Sequence, residues 1–278
     1  MPIRTILAVT TPQSTDADLE MAAELCARDG IHLSVLVMSF AAPPPIGEYA
    51  AMVSDAWMEE RQQDAARLEA RRAAVSAFLQ KAAISGDVAV EYPEAAFADE
   101  AIGRRARYAD ITIIGPGLIA DKAIKTKIVE GALFSSGRPL LIFPRGAKAD
   151  LRPKCVVVGW DGRIECARAV REALEILKTA DNVRLVLVDP AEGETAHGEE
   201  PGADAAAYLA RHGVTVTVDR LPLAGHGVAE VLSRHAVDCG AGMLVMGGYG
   251  HSRIRERIFG GVTRAMVEDP KLPVLMAR

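Results

Sequence analysis

Short, near-continuous apolar runs alternate along this chain with longer stretches in which apolar residues recur every three or four positions. A run without polar alternation suits a strand buried on both faces, and the helical spacing suits a helix packed on one side. The pattern is written twice. Thr5–Thr11 and Cys155–Asp161 each open a half with an apolar run, followed by a turn and an alanine-rich helical segment, Thr15–Arg28 or Ile164–Lys178. A second strand comes next, Ile31–Met38 or Val183–Val188. Later each half has an apolar run carrying glycine, Ile111–Gly115 or Met243–Gly247, and closes on Arg138–Phe143 or Leu272–Met276. Strands alternating with amphipathic helices predict the α/β class: two tandem doubly wound parallel-sheet domains, Rossmann-like, with right-handed crossovers. In such sheets ligands sit beyond the carboxyl ends of the strands where strand order reverses, which places the chemistry between Asp161 and the segment Gly247–Thr263.

The 278 residues suit two compact domains, expected at 1–146 and 152–278, with Pro144–Pro153 as a short linker. The halves differ. The first inserts the proline segment Ala41–Gly47 before a long helix near Ser54–Ala83, where Leu68, Val75, Leu79 and Ala82 recur at helical spacing. The second carries a polar, glycine-containing stretch, Ala191–Gly202, expected to be a surface loop.

Half of the residues are apolar and a quarter charged, and no apolar run approaches the roughly 20 residues that cross a bilayer. The opening residues read as a first strand, so the expectation is a cytoplasmic protein with no membrane partner. The formal charge of −5 and the interspersed signs give no basic stripe, which argues against nucleic acid as a partner. Cys26, Cys155, Cys166 and Cys239 are far apart, with no C-x-x-C pair, and read as small core residues. His235 and Cys239 stand one helical turn apart, a spacing that permits a metal, but Val228, Leu232, His235, Ala236 and Cys239 also form a buried stripe; no metal site is predicted.

The segment Met246–Arg264 is the most informative. It follows an apolar strand, carries Gly247, Gly250, Gly260 and Gly261, and precedes an amphipathic segment. Glycines let the backbone approach a ligand, and the first amides of a helix have no internal partner and face its positive end, so a phosphate is the natural occupant. The alternative is a turn that needed glycines only to close. His251, Ser252, Arg253, Arg255, Arg257 and Arg264 add local positive charge, either toward phosphate oxygens or as the solvated face of a turn whose Ile254, Ile258 and Phe259 point inward. Asp161 at the end of a strand is a candidate ligand contact, or a turn aspartate, since Asp-Gly is itself a turn signal.

The spacing Gly247, two residues, Gly250, nine residues, Gly260 resembles the nucleotide-binding branch of the universal stress protein family, whose motif places Ser or Thr after the last glycine. Here that position is Gly261, and Thr263 lies two residues on. The resemblance covers the whole chain as two tandem domains of the adenine nucleotide alpha hydrolase-like type, but the motif matches only in the second. In the first half Gly115-Pro-Gly-Leu118 has Leu at the second glycine, Thr126 and Lys127 stand near the later ones, and about Thr11 replaces the Asp. The first half is accordingly read as a degenerate, non-binding partner. The resemblance implies an adenine-nucleotide site formed by Gly159, Asp161, Val186, Met246, Gly247, Gly250, Ser252, Gly260, Gly261, Val262, Thr263 and Arg264. Gly248 is a further candidate lining residue.

The implied function is a stress-response regulator that binds ATP, ADP or AMP, with magnesium as part of the nucleotide complex, and turns it over slowly or not at all. No Walker lysine and no acidic pair for magnesium accompany the loop, so no catalytic residue is assigned. One alternative is a nucleotide-free interaction module. Another is an adenylate-forming enzyme, against which stands the absence of a Ser-Gly-Gly-rich loop after either first strand (Thr10-Thr-Pro-Gln and Trp160-Asp-Gly-Arg). The closing strands, Leu140–Phe143 and Val274–Met276, are candidates to pair with each other, giving an intramolecular pseudo-dimer, with homodimerisation through another face left open.

Overall fold

A computed structural model describes residues 3–45, 50–190, 200–249 and 261–278, the side chains of 50–54 excepted. The chain divides into two compact units, Arg4–Ser136 and Gly137–Arg278.

The first unit runs β1 (Thr5–Thr10), α1 (Ala17–Asp29), β2 (His32–Met38), α2 (Ala50–Ala82), β3 (Gly86–Glu91), α3 (Ala98–Ala106), β4 (Ile111–Ile114), α4 (Pro116–Ala120) and α5 (Lys122–Glu130). Its strands stand in the order β3-β2-β1-β4, all parallel. Ile6, Leu7, Val9, Leu33, Val35 and Ile113 are buried whatever their parity, because helices cover both faces. Helix α1 buries Leu19, Ala22, Ala23, Leu25 and Cys26, a single stripe at helical spacing, and stops at Gly30, whose φ of 64° allows its N–H to bond the carbonyl of Cys26. Helix α2 anchors through Leu68, Val75 and Leu79. Ala82, at the same spacing, is exposed, because the helix ends there.

The second unit contains β5 (Leu140–Ile142), β6 (Cys155–Gly159), α6 (Ile164–Thr179), β7 (Asn182–Val188), α7 (Ala203–Arg211), β8 (Val216–Leu221), α8 (Val228–Asp238), β9 (Met243–Gly247), α9 (Gly261–Glu268) and β10 (Val274–Ala277). The order is β5-β10-β9-β6-β7-β8. All neighbours are parallel except β5 and β10, which pair antiparallel with Leu140 opposite Met276 and Ile142 opposite Val274. The two closing strands thus meet inside one chain, and each covers an edge that would otherwise display unpaired backbone groups.

His235 is not part of an apolar stripe. Its Nε2 lies 2.8 Å from Asp219 Oδ2, and the same carboxylate takes two hydrogen bonds from Arg184, while Leu232 and Ala236 supply the buried face of α8. Cys26 and Cys166 are buried, and Cys155 and Cys239 half-buried. Among the described residues no helix is long and apolar enough to cross a membrane.

Candidate functional site

In the second unit the chain leaves β6 toward β7 and β8 on one side and returns to β9 and β10 on the other. The sheet order therefore reverses between β6 and β9, and a crevice is left at their carboxyl ends. A cleft of about 280 Å³ lies there. Its strand side is Gly159, Val186, Val188, Met246 and Gly247, α8 contributes Val228 and Leu232, and the turn into α6 contributes Trp160, Asp161, Arg163, Glu165 and Cys166. Gly261, Val262 and Thr263, the first turn of α9, complete it.

The backbone reasons for these residues are specific. Gly159 pairs with Val186 and Met246 on its two sides, and a Cβ there would come 3.2 Å from Leu232 Cδ1. At Gly247 a Cβ would stand 2.6 Å from the backbone N of Cys166 and 2.8 Å from the carbonyl carbon of Glu165. The sequence reading had Gly247 bare for a ligand. The structure shows that it is bare first because the N-terminus of α6 packs on it. Gly261 is the opposite case: among the described residues a Cβ there would meet nothing within 4 Å.

Asp161 forms a turn. Its Oδ1 accepts the N–H of Arg163 at 3.0 Å and its Oδ2 lies 3.8 Å from Arg163 Nε, while about half of the side chain stays exposed at the cleft. Gly162, at φ 75°, makes the turn. Cys166 donates to the carbonyl of Gly159 at 3.4 Å, and burial, with the charge of Asp161 adding to it, pushes its thiol up to about 12. A thiol so held stays protonated and is no nucleophile at neutral pH.

Past β9 the backbone keeps sheet direction for one residue, Gly248 donating to the carbonyl of Ala277 at 2.8 Å, and then turns at Tyr249, whose φ is 62°. The Tyr249 N–H donates to Thr263 Oγ1 at 3.2 Å. The Thr263 side chain is buried, and its oxygen ties the exit of β9 to α9, leaving the hydroxyl proton for another acceptor. Arg264 points along its own helix, Nε 2.8 Å from Glu268, and is not among the cleft residues.

Of the residues singled out from the sequence, Gly159, Asp161, Val186, Met246, Gly247, Gly261, Val262 and Thr263 come together around one cleft. Gly250, Ser252 and Gly260 lie outside the described residues, as do His251, Arg253, Arg255 and Arg257. Sequence reasoning passed over Trp160, Arg163, Glu165, Val188, Val228 and Leu232 as cleft residues. Glu165 had a signal, an acidic residue in the first turn after a strand, but Val228 and Leu232 reach the cleft only through the packing of α8 on the sheet. In the first unit Gly115 directly follows β4, where Gly247 is the last residue of β9, and Thr126 and Lys127 belong to α5, where Lys127 pairs with Glu130 at 2.9 Å.

A doubly wound domain with a crevice at its switch point, apolar on one side and bordered by the first turn of α9 on the other, has the architecture in which α/β domains hold small ligands. Within that class, residues 153–278 match the model of the Universal stress protein family. The whole chain shares its fold with a universal stress protein from Archaeoglobus fulgidus, 16% identical over 99% of this chain and 98% of that one, at a TM-score of 0.63. A Pseudomonas aeruginosa protein assigned to the same group is 14% identical over 98% of this chain and 92% of that one, at a TM-score of 0.58. A functionally uncharacterised protein, also from Pseudomonas aeruginosa, is 15% identical over the same shares, at 0.56. No curated protein sequence matches the chain.

Proposed function

We propose that the second half binds an adenine nucleotide, ATP or its ADP or AMP relatives, in the cleft at the ends of β6 and β9, and that the protein acts as a stress-response regulator through occupancy. The observation that carries this reading is the pairing, in one cleft, of an apolar slot with the amide-bearing first turn of α9. Val186, Val188 and Leu232 suit the faces of a purine, and the turn at Asp161 offers a carboxylate at the slot's rim. Gly261, Val262 and Thr263 bring backbone N–H groups at the positive end of a helix, which suits a phosphate tail. The volume lies at the lower end of small-molecule pockets, roughly 300–1,000 Å³, so a bound nucleotide extends its phosphates out of the slot along α9. Magnesium arrives with the nucleotide, and hydrolysis is slow or absent. The reading keeps domains at 1–146 and 152–278, the first a non-binding partner.

One observation favours the interaction-module alternative: the Thr263 hydroxyl already accepts from Tyr249, and Gly261 has no hydroxyl at all. Mass spectrometry of the gently purified protein and calorimetric titration with magnesium-ATP separate the two. Wild type is expected to carry or take up nucleotide and to change the fluorescence of Trp160, while Gly250→Leu and Val228→Trp, the second closing the slot, weaken binding by roughly tenfold or more, above 1.4 kcal/mol. Absence of bound nucleotide and of any titration heat in wild type leaves the interaction module standing.

A further inference from the structure

In the first unit the place that corresponds to the cleft is engaged by the chain itself. Asp18, the second residue of α1, reaches the turn after β4: its Oδ1 accepts the N–H of Gly117 and its Oδ2 that of Leu118, both at 3.0 Å. The flanking backbone is shaped for it. A Cβ on Gly115 would lie 2.3 Å from Asp18 Cγ, and one on Gly117 3.1 Å from Oδ2. Pro116 has no N–H to offer, so the donors that meet the carboxylate come from the two residues after it. The carboxylate therefore bridges the first turn of α1, whose dipole favours negative charge, and the turn that follows β4. At the same end of β1, Arg71 from α2 donates to Thr10 Oγ1 at 3.0 Å and pairs with Asp16 at 2.7 Å, with its side chain only 11% exposed.

The second unit supplies the control. Glu165 is likewise the second residue of its helix and lies against Gly247, with its Cβ 2.9 Å from where a Gly247 Cβ would stand, but there the cleft is open. The amide two residues past the strand-ending glycine donates to a carboxylate in the first unit, Gly117 to Asp18, and to a neutral hydroxyl in the second, Tyr249 to Thr263.

We infer that Asp18 is a built-in anion at the strand ends of the first unit, taking the Gly117 and Leu118 amides that a ligand phosphate would otherwise meet. The inference rests on the first unit's own geometry and stands whether or not the second half binds a nucleotide. A charge-reaching contact of this kind makes the first half a permanently self-liganded partner, and a single side chain separates it from a unit that answers to dissolved anions.

The test compares full-length wild type with Asp18→Ala and the near-isosteric Asp18→Asn. In chloride buffer both variants are expected to melt roughly 2–4 °C lower, as loss of one charged acceptor predicts for a chain of this size. Backbone amide exchange at Gly117 and Leu118, followed by mass spectrometry or NMR, is expected to quicken in both. Replacing chloride by inorganic phosphate at equal ionic strength is expected to slow that exchange again in Asp18→Ala and to leave it unchanged in wild type. Any phosphate effect through the second unit is common to all three proteins and cancels in the comparison. Exchange at Gly117 and Leu118 that is the same in wild type and Asp18→Asn, or that responds to phosphate equally in wild type and Asp18→Ala, overturns the inference.

Discussion

The two halves lay down their strands in the same order and differ at the carboxyl ends of their first and fourth strands. At the end of β6 the turn is Trp160-Asp-Gly-Arg163, Asp161 bonds locally to the Arg163 amide, and a cleft remains beside it. Beyond β1, a carboxylate from the first turn of α1 crosses to the turn after β4 and takes its amides, and Arg71 arrives from α2 to satisfy Thr10 and Asp16. The lesson is that a duplicated scaffold leaves function to a few side chains at the switch point. The scaffold dictates that polar backbone groups face this end of the sheet, and the side chains decide whether the protein or a ligand meets them.

The most forceful way to break the comparison is at the strand-ending glycines. Gly247→Ala drives a Cβ into the backbone of α6, which cannot move without shifting the helix, and is expected to cost about 3 kcal/mol of stability in urea denaturation. Gly115→Ala meets the Asp18 carboxylate, a side chain that can swing aside at the loss of its two amide hydrogen bonds, and is expected to cost less. Equal costs would show that the two glycines serve the same purpose.

A smaller effect separates the halves at their third strands, where each has a histidine–aspartate contact, His32 with Asp87 and His235 with Asp219. The first pair is largely exposed; in the second the side chains are 19% and 14% exposed. Burial raises the Asp219 carboxyl, but the hydrogen bonds from Arg184 and His235, with their charges, outweigh it and hold the group below its ordinary value. A depressed folded value means that the ionised carboxylate stabilises the fold above the unfolded pKa, about 3.9, and that the contribution fades as pH falls through the lower folded value. Asp219→Asn is therefore expected to lose about 1–2 kcal/mol at pH 6–7, with the gap to wild type closing below about pH 4. A gap that stays constant from pH 7 to pH 3 contradicts this account. Asp87→Asn, at the exposed pair, is expected to change stability by less than about 0.5 kcal/mol.

The smallest effect sharpens the comparison from the other side. Gly261→Ser adds a hydroxyl where, among the described residues, a side chain meets no neighbour, at the first turn of α9. Stability is expected to stay within about 0.5 kcal/mol, and magnesium-ATP affinity by calorimetry to rise roughly two- to fivefold through one added hydrogen bond to phosphate. Unchanged affinity would mean that the first turn of α9 does not meet the phosphates.

The uninterrupted apolar runs and the stripe of α1 were sufficient to read the α/β class, the repeat and the crevice between β6 and β9, because burial on both faces of a parallel sheet leaves its mark on every strand residue. Asp161 and Gly247 stand at strand ends and so could be placed at that crevice from the pattern, whereas Gly159, Val186 and Thr263 entered only through the resemblance to the universal stress protein family. What lay beyond the sequence was set by contacts distant along the chain. Asp18 and Gly117 are 99 residues apart, Arg71 and Thr10 are 61 apart, and nothing in the local spacing of either pair announces a bond. Gly247 and Gly261 look alike in the sequence, yet one is pinned by a packed helix and the other meets no described neighbour. Local pattern determined which elements form and in what order; only the packing of helices against the sheets decided where a side chain of the chain itself meets the turn after a strand and where a cleft remains, since side-chain reach and steric exclusion exist only between elements already in place.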